Sequence, residues 1–354
     1  MFYMMKKIKL TPFIILLISL LLPNVLFSQD NRTQSFSSLF QEDEVLEARF
    51  VADFKKVFKN TDDTSTFKGL FSYKNDQGET ESFKVKVRTR GKQRRIECNF
   101  MPLRMEMKKK DVKGTLFEKQ TQLKVVTHCR KLNVYEQNTI LEYLVYKSLN
   151  VLTDSSYRVR PMLVNYVFQG EKKVDSVQKF AFIIERTKYM AERLGMKNFK
   201  RINYHANRTN IDHMNLVDVF QYMIGNTDYS VFKLHNMKMV VDPETNRFPV
   251  AIPFDFDWSG IISAAYAKPN PMFGTKKVGD RIYRGFELDA VKLLQVFDRF
   301  NQKRDKIFEL FENEPLLKKS EKRRVKGYLE EFYRIINKEN AVYDFIKVSR
   351  SLEV

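Results

Sequence analysis

Glycine and proline are scarce, 12 and 10 residues in 354, which excludes collagen-like repeats and low-complexity disordered chains. There are only two cysteines and four histidines. The histidines (His128, His205, His213, His235) are scattered, and neither cysteine stands at zinc-ligand spacing to them. Past residue 28 no apolar run is long enough to span a bilayer. No internal repeat is found. What is present is an ordinary globular composition, 43% apolar with 30 Phe and 16 Tyr, in a chain long enough to bury a core without disulfide support. Lys and Arg number 62 against 43 Asp and Glu, a formal charge of +19, which favours anionic partners.

The first 28 residues read as a secretory signal peptide. Lys6, Lys7 and Lys9 form a basic start, Leu10 to Leu22 is nearly all apolar, Pro23 breaks the run, and Ser28 precedes Gln29. The expectation is an exported protein of the periplasm or cell envelope with its mature N-terminus near Gln29, not membrane-spanning after cleavage. Export permits one disulfide. Cys98 and Cys129 both stand at ends of expected strands, and a bridge between them requires Cα atoms within ~7 Å; the alternative is two free thiols.

After a polar, flexible start (29–45), residues 46–186 are β-rich. Phe83, Val85 and Val87 alternate with Lys84, Lys86 and Arg88, and Leu103, Met105 and Met107 with Arg104, Glu106 and Lys108. This is period-2 patterning of half-exposed antiparallel strands, with a turn at Asn75-Asp76-Gln77-Gly78. Leu123–Val126, 158–168 and 179–185 read as further strands. Tyr135–Leu149 reads as a helix, with Leu141, Val145 and Leu149 on one face. From 187 to 354 the pattern is mostly helical, interrupted by a strand pair at 237–241 and 250–254. The expected class is α+β: an antiparallel β-rich N-terminal lobe and a mostly α-helical C-terminal lobe.

One stretch carries chemistry. Ile224-Gly225-Asn226-Thr227-Asp228 is followed by Leu234-His235-Asn236 and by Ile252-Pro253-Phe254-Asp255-Phe256-Asp257-Trp258-Ser259-Gly260. Asp255 and Asp257 leave an apolar strand, and residues two apart in an extended strand share a face. Two carboxylates with an amide oxygen suit Mg²⁺, a hard ion that keeps part of its water shell; phosphate oxygens of a nucleotide would complete the set. A D-x-D after a strand is also a common helix-capping turn.

These residues resemble the spore-coat-protein-H (CotH) kinase family, which carries Gly-Asn-x-Asp, a following Asn, and Pro-aromatic-Asp-aromatic-Asp. Arg90-Gly91-Lys92 and Met101-Pro102-Leu103-Arg104 are similar to its Arg-Gly element and Pro-containing strand, and the resemblance covers roughly residues 46–290. It implies a two-lobed protein-kinase-like fold and Mg²⁺-dependent phosphoryl or nucleotidyl transfer, with ATP or another nucleotide as donor. By the same resemblance Asp228 is the catalytic carboxylate. Asn236 and Asp255, helped by Asp257, hold the metal. Arg104 or Lys124 meets the phosphates, and Glu142 orients one of them. The chain departs from kinases in lacking G-x-G-x-x-G, H-R-D and D-F-G, and an envelope compartment is poor in ATP.

Two other readings stand beside it. One is a non-catalytic module, a pseudokinase binding an acidic envelope polymer or a protein partner. The other is a glycosyltransferase with Asp255-Phe256-Asp257 as its D-x-D, which needs a parallel nucleotide-binding sheet. The run Arg88, Arg90, Lys92, Arg94, Arg95 reads as a solvated strand edge rather than a nucleic-acid surface, because no aromatic platform is interleaved.

Overall fold

The computed structural model describes residues 37–60, 64–170 and 175–351. The expected signal peptide, residues 1–28, and residues 29–36 of the expected flexible start lie outside them. Of the rest of that start, Leu39 is fully buried, and Asp43 pairs with Lys147 at 2.5 Å.

Strand β1 (Leu46–Ala52) turns Leu46, Ala48, Phe50 and Ala52 inward. Helix α1 (Phe54–Lys59) follows, its N-terminus capped by the Asp53 side chain. Strands β2 (Phe67–Lys74) and β3 (Thr80–Thr89) form a hairpin. The Asn75 side chain accepts from Gln77 N and Glu79 N at its turn, where Gly78 takes a φ of 78°. Helix α2 (Lys92–Glu97) then precedes β4 (Leu103–Met107) and β5 (Gln122–Val126), and the long α3 (Asn133–Leu152) leads to β6 (Val159–Phe168) and β7 (Asp175–Ile184).

The seven strands run in the order β1-β2-β3-β4-β5-β7-β6 and close into a barrel. Closure comes from β1, which pairs antiparallel with β2 on one side and parallel with β6 on the other, Leu46 opposite Met162 through Ala52 opposite Phe168. The interior is filled by aromatic side chains, among them Phe50, Phe71, Phe83, Phe117 and Tyr166. The remaining elements are α4 (Thr187–Arg193), β8 (Lys197–Phe199), α5 (Ile211–Ile224), β9 (Met237–Val241), β10 (Val250–Pro253), α6 (Ala290–Gln302), α7 (Arg304–Glu312), α8 (Lys319–Ile336) and α9 (Ala341–Ser351). Strands β10, β9 and β8 make a small second sheet. Phe308, Phe311 and Phe332 are buried with α3 in one large core.

The expected two-lobed kinase-like fold is not what forms. The N-terminal strands are a closed barrel rather than an open lobe sheet, and the described residues all belong to one compact unit. The physical reason is the β1–β6 pairing: it joins segments about a hundred residues apart, and local alternation shows that a strand exists without showing which edge it closes. Among the described strands it is also the one parallel pairing, so the parallel sheet that a glycosyltransferase needs is not built. No helix among the described residues is long and apolar enough to cross a membrane.

Cys98 and Cys129 are bridged, with Cα atoms 4.7 Å apart. Cys98 caps the C-terminus of α2 rather than ending a strand, so the bridge ties α2 to the segment after β5. With a sequence separation of 31 between the two positions, loop entropy assigns the bridge about 3–4 kcal/mol. Replacing both cysteines by serine is expected to lower stability by about that amount in urea unfolding, with α2 loosening first.

Asp218 of α5 is buried. It accepts from Tyr229 OH at 3.0 Å, and its other oxygen has no partner. Burial pushes its carboxyl up to about 7. The native state therefore holds this proton where the unfolded chain has lost it, and the cost of burying the charge grows as pH rises from about 4 to about 7. Asp218→Asn should gain stability over the natural chain through that window, reaching a few kcal/mol at most, and plateau above it. Thermal melts of the two chains between pH 4 and 8 test this.

Candidate functional site

The Gly-Asn-x-Asp segment is built by the end of α5. Gly225 adopts φ 65°, ending the helix in a left-handed turn, and an alanine Cβ there would lie 2.1 Å from the Tyr328 hydroxyl. Asn226 is buried. Its amide donates to Gln221 Oε1 at 3.0 Å, and its oxygen accepts from Asp228 N at 3.0 Å. This bracket fixes Asp228. Gly260 N and Ile261 N donate to the carbonyls of Gly225 and Ile224, so the residues after β10 are stitched to the same helix end.

Asp228 accepts two side-chain bonds, from His235 Nε2 to Oδ1 at 2.7 Å and from Asn236 Nδ2 to Oδ2 at 2.9 Å. Asn236 Nδ2 also reaches the Asp228 carbonyl at 2.8 Å, and the Asn236 amide oxygen has no hydrogen-bond partner among the described residues. Phe254 N donates to the Asn236 carbonyl at 3.0 Å, bringing the exit of β10 alongside. Asp255 is then held by its backbone, its N–H donating to Tyr146 OH of α3 at 2.8 Å. Leu234, Asn236 and Asp255 all have positive φ, 50°, 51° and 65°. Non-glycine residues pay for that conformation, and such strain gathers at functional sites.

Asp228, His235, Asn236, Asp255 and Asp257 line one cavity of about 360 Å³ together with Arg90, Arg94 and Trp258. The structure thus brings together Asp228, Asn236 and Asp255 from two separate segments. It treats the two carboxylates of Asp255-Phe256-Asp257 differently. The chain leaves its extended conformation at Asp255, so the two no longer share a face. Phe256 is buried, its ring 4.7 Å from Tyr146 and 5.7 Å from Phe220. Asp257 turns inward and spends Oδ2 on Arg94 Nε at 2.9 Å and Tyr266 OH at 3.0 Å. The Asp255 carboxylate has no hydrogen-bond partner among the described residues.

Arg94 is the residue that sequence reading missed. It sits not on a solvated strand edge but on α2, buried, where it also donates Nη2 to Glu142 Oε2 at 2.6 Å. Glu142 therefore pairs with Arg94, and not with Arg104 or Lys124 as expected. Burial raises both Glu142 and Asp257, and the Arg94 charge opposes the rise. One signal was available: Arg94 and Cys98 are four apart, hence on one helix face, and a bridged cysteine faces inward. Lys124 lies close to Asp255, with its ammonium 5.2 Å from the Phe254 ring centre. Burial, then the nearby Arg90, lowers it to about 8. Arg104 sits beside it on β4, directly opposite in register.

No trio of His, Cys, Asp or Glu able to hold a metal is found among the described residues. Two residues that line the cavity have side-chain oxygens with no hydrogen-bond partner among the described residues, Asp255 through its carboxylate and Asn236 through its amide oxygen. Both are hard oxygens, and Mg²⁺ commonly takes one or two protein ligands and completes its shell with water and phosphate oxygens. On donor chemistry the pair fits that ion. No family model and no curated protein matches the chain.

Proposed function

We propose that this chain catalyses Mg²⁺-dependent phosphoryl transfer at the Asp228–Asn236–Asp255 cavity, on a barrel scaffold unlike that of protein kinases. The observation that carries the reading is the pairing of two unpartnered hard oxygens, on Asn236 and Asp255, with a rigidly held carboxylate, Asp228, in one cavity. Fold and chemistry are separable in this way because the site, not the architecture, decides the reaction. The motif resemblance to the CotH family supports the same chemistry.

Mg²⁺, when bound, would neutralise charge on the phosphate oxygens. The chain's own residues do the positioning, the main work of phosphoryl transfer. Asp228 orients the acceptor hydroxyl and accepts its proton. Two bonds, from His235 and Asn236, fix the rotamer of that carboxylate and leave further lone pairs for the acceptor. Asn236 links the two halves of the site, donating to Asp228 and offering its oxygen to the ion. Arg94 engages Asp257, so that Asp255 is the carboxylate left for the metal.

The site is proposed to work outside the cytoplasm. Intact mass of protein recovered from cell envelopes should show a start near Gln29; a full-length cytosolic chain would refute export. The activity is tested by incubating the mature chain with γ-labelled ATP and Mg²⁺ and following label into water, the chain itself or an envelope extract. Transfer should vanish with EDTA and in Asp228→Asn. Transfer that survives both would overturn the reading, and no transfer at all would favour a non-catalytic binder of anionic ligands, which the excess of cations also suits.

A further inference from the structure

His235 is held differently from the other three histidines. His128 is buried against the Phe100 ring, 4.2 Å between centroids. His213 has Nε2 on the Ala251 carbonyl at 3.0 Å. His205 is exposed and meets the Phe232 ring edge-on at 5.2 Å. His235 lines the cavity of Asp228, Asn236 and Asp255. Its side chain is 54% open to solvent, and its Nε2 lies 2.7 Å from Asp228 Oδ1. A carboxylate has no proton to donate, so Nε2 carries the hydrogen and Nδ1 keeps a lone pair in the ring plane. That lone pair has no hydrogen-bond partner among the described residues. The backbone is fixed as well. Ser230 and His235 exchange both N–H···O bonds, each 2.9 Å, and Leu234 N donates to the Val231 carbonyl at 3.1 Å, closing a tight turn between them.

We propose that His235 is a phosphoryl-accepting nucleophile, taking a phosphoryl group on Nδ1 to form a phosphohistidine. The inference rests on the phosphoryl-transfer reading and divides that transfer into two steps. In the first, the Nδ1 lone pair bonds the terminal phosphorus of a phosphoric anhydride, and the bridging P–O bond breaks with its electron pair on the departing phosphate. The Nε2 proton stays in place, and the Asp228 charge offsets the positive charge that the ring gains. In the second, an acceptor hydroxyl oxygen bonds the same phosphorus, the N–P electron pair returns to Nδ1, and Asp228 takes the hydroxyl proton. Such a nucleophile splits one difficult displacement into two easier ones and lets the donor's remnant leave before the acceptor arrives. The bond to Asp228 fixes the tautomer and the ring plane in advance, which is what a positioned nucleophile requires. His205, with comparable access to solvent and no carboxylate on its ring, lacks that arrangement.

Phosphoramidate phosphorylates imidazole nitrogen without a metal, so it tests the nucleophile separately from the donor. In EDTA the mature chain should be phosphorylated at His235 about tenfold or more faster than at His205, and ³¹P NMR should place the group on Nδ1. With γ-labelled ATP, Mg²⁺ and no acceptor, label should appear on His235 in an acid-labile, alkali-stable form, and labelled ADP should exchange into ATP, the mark of a two-step transfer. His235→Gln keeps an N–H donor for Asp228 and removes the nucleophile. It should lose the histidine label and the exchange, and lower transfer by about a hundredfold or more, with an unchanged melting temperature. Phosphoramidate labelling no faster at His235 than at His205, or landing on Nε2, would overturn the proposal. Transfer at the natural rate in His235→Gln would overturn it too and leave direct transfer at Asp228 standing. Rapid Nδ1 labelling by phosphoramidate, with no transfer from any anhydride in Mg²⁺, would retire the transfer reading and leave the nucleophile in place.

Discussion

Arg94→Met is expected to destabilise the protein by about 3–5 kcal/mol, the cost of stranding buried charges once their partner is gone. Arg94 answers two carboxylates at once, Glu142 at 2.6 Å and Asp257 at 2.9 Å, and both are nearly inaccessible to water. Without the guanidinium, each acid must take up a proton or draw water into the core. The loss should therefore be largest at neutral and alkaline pH and shrink as the medium becomes acidic enough to protonate the pair. Adding Glu142→Gln to the variant removes one of the stranded charges and should restore part of the stability. Urea unfolding of the three chains at pH 5 and pH 8 checks both statements. A loss that is the same at both pH values would mean that Arg94 contributes packing rather than charge.

Asp255→Asn is expected to have the opposite signature, a large loss of function with almost no loss of fold. Its carboxylate makes no hydrogen bond among the described residues, and its backbone N–H bond to Tyr146 survives the substitution. Asparagine also tolerates positive φ better than most residues, so the turn at 65° is kept. Loss of a charged ligand from a metal site that positions phosphate should lower Mg²⁺-dependent transfer by about a hundredfold or more. The melting temperature should be unchanged or slightly raised, since one member of the Asp255, Asp257 and Glu142 group of negative charges has gone. A variant that unfolds instead would show Asp255 to be part of the scaffold.

Much of the local structure was legible from side-chain period. The alternation at Phe83–Val87 and Leu103–Met107, the turn at Asn75–Gly78 and the apolar stripe of α3 all follow from patterns within one element, and they are the elements observed. The cysteine pair was also legible, although its bridge holds a helix end and not two strands. The architecture was not. Barrel closure depends on β1 choosing β6 as its second neighbour, a contact whose two halves are far apart in sequence and carry no mark of each other. A resemblance confined to short motifs around 224–260 does not reach that level of structure.

In the site, the motif residues were visible because turn chemistry leaves a signature. Gly225 must be glycine for its left-handed cap, and Asn226 must reach back to both Gln221 and Asp228 N. What the sequence hid was the division of labour between Asp255 and Asp257. It depends on Arg94, one of five cations within eight residues that together read as a solvated edge. A positive φ at Asp255 then leaves one carboxylate unpartnered and ties the next to the buried Arg94, where a period-2 reading makes the two equivalent.

The central claim is that Asp255 and Asn236 hold a divalent ion in the cavity that Asp228 faces. Anomalous diffraction from crystals of the mature chain soaked with Mn²⁺, an oxygen-seeking stand-in for Mg²⁺, tests it directly. The account predicts one strong peak at bonding distance from the Asp255 carboxylate and the Asn236 amide oxygen, with Asp257 still on Arg94 and no peak in Asp255→Asn crystals. A peak bound by Asp257 after displacement of Arg94, or an ion elsewhere with this cavity empty at saturating Mn²⁺, would contradict it.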